Sequence, residues 1–162
     1  MLTSYGSGLH VSELVSLKTS DIDSKSKRIL VRDGKGQKDR YTILSMNSLL
    51  ALREYWSKYR PRSPEKYIFP GCKNVGHLTP EAVKRAINTA LSATNIRKCT
   101  SPHTLRHCFA THLLEDGLSL LQIKTLLGHT SISSTTVYLH LANTTAGITS
   151  PADKEMFEDF PL

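Results

Sequence analysis

Ser101-Pro102-His103-Thr104-Leu105-Arg106-His107-Cys108-Phe109-Ala110-Thr111-His112-Leu113 is the stretch on which the reading of this chain turns. A serine followed by a proline opens a helix. The serine hydroxyl caps the first free amides, and proline at the first helical position gives up an N–H that has no partner there. Asp116-Gly117 closes the helix, and the spacing i, i+3 puts His103 and Arg106 on one face of it. Ser119 caps the next helix, Leu120 to Leu127, which Gly128 ends and His129 follows. Thr135 to Leu141 reads as a last short helix and carries Tyr138. From Asn143 onward Gly, Thr, Ser and Pro dominate, so residues 143–162 read as a tail.

Upstream, Thr79-Pro80-Glu81 repeats the Ser-Pro logic and predicts a helix reaching about Ala93. Leu49, Leu50, Leu52, Tyr55, Trp56 and Tyr59 fit one amphipathic helix stopped near Pro61, whereas Tyr67-Ile68-Phe69 is long enough only for a minor strand. Arg28 to Arg32 alternates, with Ile29 and Val31 on one face. Tyr41 to Leu44 favours β structure, and the glycine-supported turn at 34–37 joins the two segments into an antiparallel hairpin with Lys35 at its tip. Val11, Leu14, Val15 and Leu17 recur at helical spacing, and Met1 to Tyr5 reads as the last turn of a helix ended by Gly6-Ser7-Gly8. The class is α+β, mostly helical, in one domain with a small antiparallel β-sheet and no internal repeat.

The chain has 162 residues, with 21 Lys+Arg against 14 Asp+Glu. The imbalance is uneven: residues 151–162 are net −3, leaving +10 on residues 1–150. A body that basic attracts polyanions, of which DNA or RNA is the commonest partner. No apolar run is long enough for a membrane span and no basic-then-apolar leader opens the sequence. Cys72, Cys99 and Cys108 are an odd number at irregular spacing, so the expected setting is a reducing, cytoplasmic one.

The ordered set His103-Thr104-Leu105-Arg106, Leu127-Gly128-His129 and Tyr138 resembles the tyrosine recombinase (phage integrase) family, which shows a His-x-x-Arg box, a Leu-Gly-His box and a tyrosine nucleophile in this order. Tyr5-Gly6-Ser7-Gly8-Leu9 with Val11-Ser12-Glu13-Leu14 resembles the family's first box, and Gly34-Lys35-Gly36-Gln37-Lys38-Asp39-Arg40 its lysine-bearing hairpin. The resemblance spans about residues 2–142 and implies the family's catalytic-domain fold over residues 1–142.

It also implies a chemistry of site-specific DNA recombination or integration, such as mobile elements use, through a 3′-phosphotyrosyl intermediate. Tyr138 would be the nucleophile and Arg106 the phosphate clamp, suited to it because a planar guanidinium grips two acceptors at once. His103 and His129 would hydrogen-bond the phosphate or assist proton transfer, and Lys35 would protonate the leaving 5′-oxygen. Neither metal nor cofactor is required, and no small-molecule substrate or membrane is implied. The implied partners are duplex DNA and further recombinase subunits in a tetramer on it. Met156, Phe157 and Phe160 in the acidic tail would dock on a neighbouring subunit; the plainer expectation is a mobile terminus.

Two departures stand out. The family's Gly-Leu-Arg triplet is Gly8-Leu9-His10 here, so a histidine replaces the second phosphate-clamping arginine. A lost charged donor of that kind costs about 2.7–4 kcal/mol of transition-state stabilisation. The chain also begins just before the first box, so the family's N-terminal DNA-clamping domain is expected outside it, the chain being a fragment or a truncated product. Two outcomes follow: a recombinase impaired at His10, or a catalytically inactive DNA-binding remnant.

Each residue also has a bland reading. Tyr138 alone would be packing, Lys35 a solvated turn, and His107 and His112 core or supporting histidines. A zinc site at His103, His107, Cys108 and His112 is geometrically conceivable, but Thr104 stands where the zinc-protease helix needs Glu.

Overall fold

The computed structural model describes residues 1–32, 39–59, 66–94 and 100–140. The hairpin tip with Lys35, Leu141 and the 143–162 tail with its apolar anchors lie outside the described residues. Seven α-helices and one sheet make up the described fold: α1 (Leu2–Ser7), α2 (Val11–Ser16), β1 (Ile22–Asp23), β2 (Arg28–Val31), β3 (Arg40–Ile43), α3 (Met46–Tyr59), α4 (Pro80–Ser92), α5 (Pro102–Glu115), α6 (Leu120–Leu127) and α7 (Ser133–Thr136). Short 3-10 turns occupy Thr19–Asp21, Cys72–Asn74 and Val137–His140.

The helix starts form as their sequences dictate. Thr79 accepts from the Ala82 amide, Ser101 from that of Thr104 and Ser119 from that of Gln122, with Pro80 and Pro102 in their first turns. The sheet is antiparallel in the order β1-β2-β3, with Ile29 opposite Thr42 and Val31 opposite Arg40. Ile29 and Val31 are buried, as their alternation predicts, and Thr42 Oγ1 donates to the Ser7 carbonyl at 2.8 Å, stitching the sheet to α1. Strand β1 escaped the sequence reading because two residues carry no period.

Two differences from expectation bear on the site. Helix α1 runs through Gly6 and stops at Gly8, whose φ of 59° is the left-handed cap. The last helix divides into α7 and the 3-10 turn at Val137–His140. The run Ser133-Ser134-Thr135-Thr136-Val137 has weak helix propensity, and the tighter winding is easily reached there.

Two apolar cores result. One joins the sheet to α2 and α3 through Leu9, Leu14, Ile29, Val31 and Leu49. The other joins α5 to α6 through Phe109, Ala110, Ile123 and Leu127, and it includes Tyr138. No helix among the described residues is long and apolar enough to cross a membrane.

Candidate active site

Between the two cores Arg106 is almost wholly buried, at 7% exposure, which is unusual for arginine and demands partners. Its Nη1 donates to the Gly8 carbonyl at 2.8 Å and its Nη2 to the Leu127 carbonyl at 2.6 Å. Glu13 Oε2 lies 3.5 Å from Nη1 and supplies the countercharge. Burial lowers the pKa of Arg106 and the Glu13 carboxylate works against this. A guanidinium has five N–H donors, so donors remain for a ligand after these bonds are made.

Glu13 is the hub. Arg40 clamps it in fork-to-fork fashion, Nη1 to Oε1 at 2.7 Å and Nη2 to Oε2 at 2.9 Å, while Arg40 Nε donates to the Leu126 carbonyl at 2.9 Å. The His10 amide adds a bond to Oε2 at 2.8 Å. Burial pushes the Glu13 carboxyl upward, but the Arg40 hydrogen bonds and charge, the His10 amide and Arg106 together hold it below the usual carboxylate range. The sequence reading quoted both Glu13 and Arg40 within its motifs without giving either a role. Glu13 at the third helical position after His10 is a capping signal it could have used.

Two motif glycines let these elements meet. At Gly8 a Cβ would stand 2.3 Å from Phe109 Cδ1, and at Gly128 (φ 70°) 2.9 Å from Arg40 Cδ. Both accept φ values that other residues adopt only with strain. Each therefore fixes one of the carbonyl-bearing turns that cradle the arginines.

His10 is exposed and caps α2. The Ser12 amide donates to its Nδ1 at 3.4 Å, and Ser12 Oγ lies 2.8 Å from the same nitrogen. An accepting Nδ1 leaves the ring proton on Nε2, which gives one neutral donor where a guanidinium would offer several charged ones. Burial, and then Arg106, lower its pKa, outweighing Glu13, so the ring is held neutral near pH 7.

His10, Arg106 and the exposed His103 line one cleft of about 370 Å³, joined by Ser101 and by Lys84 from α4. Val11 and Pro102 also line it, and among the described residues no carboxylate does. The His10 and His103 rings meet edge-on at 6.4 Å, His103 and His107 at 4.6 Å, and His107 and Tyr138 at 5.4 Å. His129 stacks on Tyr138 at 6.3 Å with 16° between planes, and its Nδ1 is 2.9 Å from Oγ1 of the buried Thr135.

The structure thus brings five of the six residues singled out in the sequence into one contiguous array. Lys35 lies outside the described residues. Tyr138 does not line the cleft: it is 2% exposed, and burial raises its pKa against the lowering pull of Arg106. His107 is half-buried between His103 and Tyr138, a supporting position as expected. His112 takes the supporting alternative rather than the core one: it is exposed, and its Nδ1 takes part in a 2.7 Å bond with the Tyr5 hydroxyl that ties α1 to α5. Among the described residues no three His, Cys, Asp or Glu side chains converge as a metal site would require.

The sequence profile of the phage integrase family matches residues 1–145. This chain belongs to the phage integrase family. A tyrosine recombinase of Thermosipho africanus is 37% identical over 139 residues, covering 86% of this chain and 47% of that protein. The crystal structure of XerA recombinase superposes with a TM-score of 0.78 at 34% identity, over 90% of this chain and 53% of that one. The XerH recombinase bound to its palindromic difH substrate follows with a TM-score of 0.71 and 27% identity, over 88% of this chain and 41% of that one. The fold is the tyrosine recombinase catalytic-domain fold. The chain spans about half the length of the curated relatives it matches.

Proposed function

We propose that this chain is the catalytic domain of an enzyme of site-specific DNA recombination or integration, which cuts strands of duplex DNA and rejoins them to new partners, residues 1–142 forming the domain and 143–162 its tail. The observation that carries this reading is the cleft itself: Arg106, His10 and His103 line it, no carboxylate among the described residues does, and Tyr138 adjoins it through His107. Such a cleft suits a phosphodiester. The spare Arg106 donors would hold a non-bridging oxygen as charge builds in the transition state. The Tyr138 oxygen, its phenolic proton passing to a neighbouring imidazole, His103 or His129, would form a bond to phosphorus as the bond to the 5′-oxygen breaks. Lys35 would then protonate that 5′-oxygen, and the 3′-phosphotyrosyl bond would keep the energy needed for religation. Reaction requires the 137–140 turn to release the ring, since a phenol buried outside the cleft cannot reach a phosphate within it. A duplex DNA substrate would put the protein in the cytoplasm with the genome, and the XerH site-specific recombinase bound to its palindromic difH substrate supports the choice of a site-specific substrate.

The second reading is a DNA-binding remnant without turnover. It is favoured by His10, whose Nδ1 is occupied as a helix cap and which offers one neutral donor in place of a charged fork. One experiment separates the two. The protein is incubated with nicked duplexes of randomised sequence, and SDS-resistant adduct is digested and mapped by mass spectrometry. The enzyme reading expects adduct on Tyr138, its loss in Tyr138→Phe, and a rise of roughly a hundredfold in His10→Arg. Absence of adduct from both parent and His10→Arg, with DNA binding intact, establishes the remnant. That binding should weaken by about 0.9 log unit per log unit of salt for each phosphate contacted.

A further inference from the structure

The replaced arginine leaves a charge deficit, and the cleft contains a cation that no motif predicted. Helix α4 buries Ile87 at 2% exposure, and Val83, one turn before it, packs on the sheet-side core. That apolar stripe fixes the rotation of the helix. Lys84 sits one residue round from the stripe, on an edge that lines the same cleft as His10 and Arg106. Its ammonium is not spent elsewhere: among the described residues Lys84 forms no ion pair, not even with Glu81 one turn earlier. Arg106, by contrast, has already committed donors to Gly8 and Leu127, and His10 is held neutral. Among the described residues, a dianionic or diester phosphate entering this cleft therefore meets one buried guanidinium and one free ammonium on a flexible stem long enough to follow it.

We propose that Lys84 supplies the second positive charge on the bound phosphate, taking over from α4 the part that the arginine replaced by His10 would play from α2. The proposal rests on the phosphate-cleft reading above. It makes Lys84 a contact to the substrate's non-bridging oxygens; no proton transfer is assigned to it. It also accounts for how a cleft with a histidine at position 10 could still hold an anion at neutral pH.

Inorganic phosphate is the probe, titrated at constant ionic strength into the full chain and followed by the imidazole C–H resonances of His10 and His103. The parent is expected to bind, with the His10 pKa rising as the anion enters. Lys84→Met should weaken phosphate binding about tenfold, the effect of one close, partly solvated charge, and Lys84→Arg should restore it. In His10→Arg the Lys84→Met change should cost little, because the charge is back in its other place. Lys18→Met, which removes a lysine lying over the Tyr67 ring away from the cleft, should bind as the parent does and controls for net charge. Phosphate binding by Lys84→Met equal to the parent's overturns the inference and leaves the phosphate cleft standing. Equal losses in Lys84→Met and Lys18→Met overturn it as well, since the effect is then one of overall charge. No binding by the parent overturns both the inference and the cleft reading, whereas failure of the Tyr138 adduct assay alone touches only catalysis.

Discussion

The two walls of the cleft carry its two conspicuous donors, and they are held in opposite ways. Arg106 hangs from carbonyls 98 and 21 residues away in the chain and is countered by Glu13, which Arg40 grips in turn. His10 is held by its own helix, through the amide and hydroxyl of Ser12, two residues on. The first wall is rigid and desolvated, so its orientation is established before any ligand arrives and electrostatic interactions there are strong. The second is exposed, and a local cap can open at small cost. A charged clamp on the second wall would have to be positioned by something other than the cap, which His10 alone now satisfies.

This contrast fixes an order of effects. Glu13→Ala should be the most damaging, because it strands two largely buried arginines: about 3–5 kcal/mol in urea denaturation. A loss below about 1 kcal/mol would mean that the hub does not hold the first wall. Gly8→Ala forces a Cβ into Phe109 at a left-handed φ and should cost about 2–4 kcal/mol, while moving the carbonyl that receives Arg106. A crystal structure of that variant with Arg106 unmoved would refute the cradle. His10→Ala removes a cap and should cost only about 1 kcal/mol, and His10→Asn close to nothing. If His10→Ala proved as costly as Glu13→Ala, the distinction between the walls would collapse.

Acid titration reads the same contrast through protons. Glu13 is held below its ordinary pKa of 4.5, so its contribution is complete above that value and is lost as pH falls through its lower folded pKa. The urea midpoint should therefore decline below about pH 4.5, and Glu13→Gln should flatten that decline. His10 is also lowered from 6.5, so protonation as pH drops below that value disfavours the folded state. Its exposure makes this the smallest effect of the set, a shallow slope between pH 6.5 and the acid limb that His10→Asn should erase.

The sequence by itself determined the helix starts at Thr79, Ser101 and Ser119, the stop at Gly128, the β2–β3 hairpin and the residue types gathered at the cleft. Each cap is a bond within about three residues, and the strand pattern is a period of two, so neither depends on what the chain meets elsewhere. Tertiary structure alone decided what Arg106 does with its donors, that Glu13 and Arg40 lie behind it, and that Lys84 lines the same cleft as His10. The same is true of His112, which reaches the surface to meet Tyr5, and of Tyr138, which packs into the α5–α6 core. Those outcomes come from contacts between residues tens of positions apart. Such contacts depend on how two cores are packed against each other, and no local period or spacing in the chain encodes that relation.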